Sequence, residues 1–172
     1  LPFVYLGFVD VSCLGEGVSL GSQGLDYRKG SYTGAISADM LVDVGCRYVC
    51  LGHSERRSYF YETDEFIALS YKSAVESGLS PILCIGELLE QRESGQMKEV
   101  LKNQLMAVFK QDGFDKLPKH DIIIAYEPRW AIGAVKAASL QDVEDVFVFI
   151  QDLLKGLNLH SFKLCYGGSV DI

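Results

Sequence analysis

The chain has 172 residues, 48% of them hydrophobic and 23% charged, a globular composition that excludes a disordered, collagen-like or polybasic chain. Sixteen Lys and Arg against 23 Asp and Glu give a net charge of −7, so nucleic acid and acidic membrane surfaces are repelled, and no local basic patch offsets that balance. No apolar run reaches the roughly 18 residues of a membrane span, and the start Leu1-Pro2-Phe3 lacks the basic region of a signal peptide, so the chain reads as soluble.

In chain order, strand-type apolar runs at residues 18–22, 47–51, 81–85, 122–126 and 162–166 alternate with amphipathic helical segments. Ser37 stands where an N-cap belongs and Gly45 where that helix ends. The second helix carries Ile67, Tyr71, Ala74 and Val75 on one face, with Gly78 at its end. The third carries Leu101, Leu105 and Val108. The fourth, capped by Ser139 with Asp142 three residues on, carries Val143, Val146, Phe147, Ile150 and Leu154. Three of the five cysteines, Cys50, Cys84 and Cys165, fall inside strand runs, where a thiol serves as a small hydrophobe. An odd count used this way points to a reducing compartment. The run Ile122-Ile123-Ile124-Ala125 is apolar at successive positions, as a parallel strand covered on both faces requires. Both an open doubly wound sheet and a (β/α) barrel fit this α/β repeat. Gly15-Glu16-Gly17-Val18-Ser19-Leu20 lacks the third glycine of a dinucleotide-binding turn and precedes a strand instead of following one, which favours the barrel.

In parallel α/β folds the chemistry lies beyond the carboxyl ends of the strands. There the sequence places Gly52-His53-Ser54-Glu55-Arg56-Arg57, Gly86-Glu87, Glu127-Pro128-Arg129-Trp130 and Gly167-Gly168-Ser169. Singly, each has a bland explanation: a structural histidine, a Glu capping the next turn, a tight glycine turn, and Arg56 and Arg57 as surface charges paired with Glu62 or Asp64. Their recurrence at one end of consecutive repeats points to a site. A neutral imidazole at a helix start can donate to a carbonyl, because the positive helix end disfavours the imidazolium; His53 has that setting. A carboxylate on another strand end, Glu127, can then remove the proton next to that carbonyl, given exclusion of water. Residues 128–136, small and apolar after a Pro, suit a lid closing as one piece. Backbone N–H groups around Gly133 and Gly168-Ser169 can cradle a phosphate.

Four blocks, Cys50-Leu51-Gly52-His53-Ser54-Glu55-Arg56-Arg57, Ile82-Leu83-Cys84-Ile85-Gly86-Glu87, Ala125-Tyr126-Glu127-Pro128-Arg129-Trp130-Ala131-Ile132-Gly133 and Tyr166-Gly167-Gly168-Ser169-Val170, resemble the triosephosphate isomerase family in order and spacing. The segment Ser31-Tyr32-Thr33-Gly34-Ala35-Ile36-Ser37 resembles that family's dimer-contact loop, and the likeness covers essentially the whole chain. The resemblance implies a TIM (β/α)8 barrel and the glycolytic and gluconeogenic interconversion of dihydroxyacetone phosphate and D-glyceraldehyde 3-phosphate. It further implies a cytoplasmic homodimer joined through residues 23–37, with neither metal nor organic cofactor. It makes Glu127 the base, His53 the neutral electrophile and Glu55 an assisting carboxylate. Gly133, Ser169 and Gly168 become substrate-binding residues, and Cys84 a structural cysteine near the base.

The chain departs from the family's usual Gly at Val135 in the lid, from its Gln-Asn at Gln23-Gly24 and from its acidic residue at Ala35. Five strands are recognisable, where a barrel of about 250 residues has eight. By the resemblance they are the third to seventh of one barrel domain spanning residues 1–172, with the barrel's first strand, first helix and second strand, and its seventh helix, eighth strand and eighth helix, outside the sequence. The family's Asn-x-Lys motif and its last Gly-Gly turn have no counterpart here, so the 172-residue chain by itself is expected to show little turnover. Two other readings remain open at this stage. One is a non-catalytic barrel piece acting as scaffold or partner of a complete subunit. The other is a different phosphate-binding barrel enzyme.

Overall fold

The computed structural model describes residues 1–118, 120–132 and 138–168. Five strands, β1 (Gly21–Ser22), β2 (Tyr48–Leu51), β3 (Ser80–Ile85), β4 (Ile122–Tyr126) and β5 (Phe162–Tyr166), form one sheet in the order β1-β2-β3-β4-β5, parallel throughout. Every neighbour in the sheet is a neighbour in sequence. A doubly wound sheet reverses its order at a switch point; an uninterrupted order is that of an arc of a barrel wall.

The helices are α1 (Phe3–Leu6), α2 (Ala38–Asp43), α3 (Ser54–Tyr59), α4 (Asp64–Glu76), α5 (Leu89–Glu93), α6 (Met97–Phe109) and α7 (Leu140–Gly156). Their apolar stripes meet the sheet as the periodicity predicts. Ile67, Tyr71, Ala74 and Val75 of α4, Leu101, Leu105 and Val108 of α6, and Val146, Ile150 and Leu154 of α7 are all buried. At about 1.5–3 kcal/mol for each large side chain, this shared layer is the main term holding helices to sheet. Every residue of β4, which is paired along both edges by β3 and β5, is buried.

Two strands depart from expectation. The first shrinks from residues 18–22 to Gly21–Ser22, because it has β2 alone as a partner and pairs only at Gly21 with Tyr48 and Ser22 with Val49; Val18 lies exposed. On β5, Lys163 and Cys165 face solvent. This strand ends the sheet, and α7 leaves alternate residues uncovered, so the expectation of a buried Cys165 is corrected. Cys84 is buried, Cys50 partly so, and all five cysteines are free.

Beneath the strands' amino ends, Tyr71, Phe109, Phe114 and His120 form an edge-to-face aromatic cluster, and the Tyr71 hydroxyl meets His120 Nε2 at 2.9 Å. Burial pushes the Tyr71 hydroxyl's pKa up, so it stays a proton donor.

The predicted caps form. Ser37 Oγ accepts from Met40 N, and Ser139 with Asp142 closes a reciprocal capping box at the start of α7; Thr63 Oγ1, not foreseen in the sequence, accepts from Phe66 N and caps α4. The hydrogen bonds from Ser139 and the nearby Arg92 hold the Asp142 carboxyl below its usual range. A carboxyl lowered on folding contributes stability above its unfolded value and loses it as pH falls through the folded one. Ser139→Ala is therefore expected to lower stability by about 1 kcal/mol at pH 7. Urea curves of variant and parent should converge below the ordinary carboxyl value of 3.8.

Candidate active site

The carboxyl ends of β2, β3, β4 and β5 bring together His53, Glu87, Glu127 and Gly167-Gly168. His53 caps α3, and its Nδ1 accepts the Glu55 N–H at 3.3 Å. A ring nitrogen that accepts is unprotonated, so the neutral ring carries its proton on Nε2. Nε2 lies 3.8 Å from Glu127 Oε2. Donor and carboxylate thus border the same space.

Glu127 follows β4 directly and is 7% exposed. Its Oε2 takes a hydrogen bond from Ser54 N at 3.4 Å, at the first turn of α3. That length is at the weak end of hydrogen bonding, so the side chain is held without being fixed. Two glycines make room for it. A Cβ added to Gly86 would stand 1.8 Å from the Glu127 carbonyl oxygen, and one added to Gly167 would stand 2.7 Å from Glu127 Cγ. The glycines after β3 and β5 are therefore required by contact with this residue.

Behind Glu127 lies a second carboxylate. Glu87, with no exposed surface, accepts from the Tyr126 hydroxyl at 3.0 Å and from Trp130 Nε1 at 2.9 Å, and it pairs with Arg92 at 3.2 Å. Arg92 covers the Trp130 ring, 4.9 Å from its centroid, and reaches Asp142 at 2.5 Å. Burial and the Glu87 charge push the Tyr126 hydroxyl's pKa up, keeping it a donor. Both sides of the segment between β4 and α7 are thereby tied to one buried anion. The sequence marked Glu87 as a strand-end residue without giving it a role; its place two residues beyond an all-apolar run was the available signal.

Cys84 is held well above the ordinary thiol range by its hydrogen bond with Cys50, by burial and by the negative Glu127 beside it, so it is neutral. That agrees with a structural cysteine. Glu55 is largely exposed, its Oε2 3.9 Å from His53 Nδ1. With Gln23, Cys50, His53, Arg56 and Phe60 it lines a cavity of about 400 Å³. Arg56 pairs with Glu62 at 2.6 Å and Arg57 with Asp64 at 2.5 Å. Arg57 is no surface charge, however. Its side chain is largely buried and donates to the Gly52 carbonyl at 2.8 Å and the Cys84 carbonyl at 3.4 Å, joining the ends of β2 and β3. Gly133, Val135 and Ser169 lie outside the described residues, while Gly168 sits in a bend after β5.

Comparison with known proteins bears on this arrangement. The sequence profile of the family described as "Triosephosphate isomerase" matches residues 1–172. The chain belongs to the triosephosphate isomerase family. A protein named triosephosphate isomerase from Hydrogenovibrio crunogenus is 48% identical over 174 residues, 98% of this chain and 68% of that one. Those of Alkaliphilus oremlandii and Magnetococcus marinus are 42% and 44% identical, covering 69% and 68% of their own lengths. His53 and Glu127 occupy the ends of alternate strands, β2 and β4, and Glu87, at the end of β3 between them, underlies the segment that leaves β4.

Removing Glu87 leaves Arg92 without its buried partner and strips an acceptor from both Tyr126 and Trp130. Glu87→Ala is expected to destabilise by about 3–5 kcal/mol. Denaturation would measure that loss, and the fluorescence of Trp130, the single tryptophan, should change with it. Parental stability would show the network to be dispensable.

Proposed function

We propose that this site interconverts dihydroxyacetone phosphate and D-glyceraldehyde 3-phosphate by proton transfer through an enediolate. The reading rests on one observation above the rest, the approach of His53 Nε2 to within 3.8 Å of Glu127 Oε2 from the ends of β2 and β4, across the end of β3. Membership of the family, whose relatives carry the name triosephosphate isomerase, supports the same reaction and sets aside an unrelated phosphate-binding barrel chemistry.

Glu127 takes the proton from the carbon beside the substrate carbonyl. The C–H electron pair becomes the new C=C bond, and the carbonyl oxygen takes up negative charge. His53 Nε2–H donates to that oxygen as the charge develops, which is where a preformed donor lowers the barrier. Glu127 returns its proton to the neighbouring carbon while the hydroxyl proton passes from the first carbon's oxygen to the other, which completes the isomerisation with no external oxidant or reductant. Backbone N–H groups at Gly133, Gly168 and Ser169 hold the phosphate, and Glu55 assists by orienting His53. The overall charge of −7 opposes an anionic substrate at long range, so local amides must outweigh it. The described residues contain no group of three or more His, Cys, Asp or Glu arranged to hold a metal.

We further infer a homodimer formed through residues 23–37, with the exposed Tyr32, beside Arg28, within that loop. The free cysteines suit a cytoplasmic enzyme. Among the described residues, no helix is long and apolar enough to cross a membrane.

A coupled assay on the product of the complete gene should show isomerisation. Glu127→Gln and His53→Gln should each lower kcat by about 10²–10⁴-fold with the fold retained. Turnover by Glu127→Gln equal to that of the parent would remove Glu127 from the base role. Sedimentation should give twice the subunit mass, and Tyr32→Asp should shift it towards the monomer.

A further inference from the structure

The paired ends of β3 and β4 leave one peptide group facing away from its neighbour. Beyond the last ladder pair, Ile85 with Tyr126, the Ile85 carbonyl accepts Glu127 N at 2.7 Å and the Glu87 carbonyl accepts Arg129 N at 3.0 Å. In a parallel ladder alternate residues face opposite neighbours, so Gly86, between these two, turns its N–H and C=O towards β2. The ladder between β2 and β3 has already ended, with Leu51 opposite Leu83. An unpaired donor and acceptor at a buried strand end would each cost about 1–3 kcal/mol. Both are met by one side chain from α6. Gln104, 8% exposed, accepts from Gly86 N through Oε1 at 2.9 Å and donates from Nε2 to the Gly86 carbonyl at 3.2 Å.

Gly86 is also the residue whose α-carbon lies against the Glu127 carbonyl, too close for any side chain. Fixing the Gly86 peptide therefore fixes the surface on which the Glu127 backbone rests. We propose that Gln104 is a positioning residue for Glu127: it stands in for the absent strand, clamps Gly86 by both backbone groups and sets where the carboxylate starts its proton transfer. The inference rests on the reading of Glu127 as the base. Gln104 touches no substrate, and its effect passes through the backbone alone. A clamp of this kind acts on the geometry of the chemical step and leaves phosphate binding untouched.

The test uses the full-length enzyme and two variants. Gln104→Leu removes both hydrogen bonds and is expected to lower kcat by about tenfold with KM unchanged, since displacement of a reacting group by ~1 Å costs up to about 10²-fold. Gln104→Glu separates positioning from packing. Protonated, the acid has a donor and an acceptor and reproduces the clamp; ionised, it has no donor for the Gly86 carbonyl. Burial raises such a carboxyl's pKa, so kcat of this variant should fall as pH rises through an ionisation that the parent lacks. Amide exchange at Gly86 and Glu127 should quicken in Gln104→Leu and return to the parental rate in Gln104→Glu at low pH. Parental kcat in Gln104→Leu, or a Gln104→Glu pH profile parallel to the parent's, would overturn the proposal. A parent without isomerase activity would overturn the reading of Glu127 instead. Exchange at the two amides would then still decide the clamp, with unchanged rates counting against it.

Discussion

The site depends on the ends of β3 and β4 staying side by side after the regular ladder stops. Because Ile85 and Glu87 accept from Glu127 N and Arg129 N, the chain leaving β4 cannot splay from the sheet before it has delivered the Glu127 side chain to the rim. The nearness of the two backbones makes Gly86 compulsory and leaves that glycine's own peptide without a strand partner, a need that Gln104 meets. The same nearness places Glu87 under Trp130. One stretch of parallel pairing thus accounts for the placement of Glu127, Gly86, Gln104 and Glu87 on three different elements.

Glu87 shows how a buried charge is accommodated when it has work on several sides. A carboxylate with no exposed surface would be costly alone. Here two neutral donors and one guanidinium surround it, and the guanidinium also stacks on Trp130 and reaches Asp142, which itself caps α7. The network joins β3, the turn after β4 and the start of α7.

Much of this was legible in sequence for identifiable reasons. The helices bearing Ile67, Leu101 and Ile150 could be read because a single apolar face meets a single sheet. The strand at residues 122–126 could be read because burial on both faces removes alternation. His53 and Glu127 stood out because polar residues follow apolar runs at the ends of consecutive repeats. What escaped reading was decided by tertiary contacts. The shortening of β1 and the exposure of Cys165 follow from positions at the two ends of the sheet, which local pattern does not encode. Gln104 looked like an ordinary polar residue on α6, since nothing in its neighbourhood shows that Gly86, 18 positions earlier, lacks partners. Arg57, taken as a surface charge, is buried because two strand-end carbonyls converge on it.

The distribution of positive charge around the rim is as consequential as the position of the base. Arg56, Arg57 and Arg92 all lie near the strand ends, and each is matched to another carboxylate, Glu62, Asp64 or the Glu87 and Asp142 pair. Glu127 is left with a long hydrogen bond from Ser54 N and with His53. With Nδ1 accepting the Glu55 N–H, the ring proton that His53 turns towards Glu127 is the one on Nε2. A carboxylate bound to an arginine would be fixed in place and its charge engaged. One held by a long amide contact keeps its lone pairs less engaged than one bound to a guanidinium. Arg56, Arg57 and Arg92 are taken up by these other acids and Arg129 by the Ser58 hydroxyl, so no guanidinium among the described residues is paired with the Glu127 carboxylate.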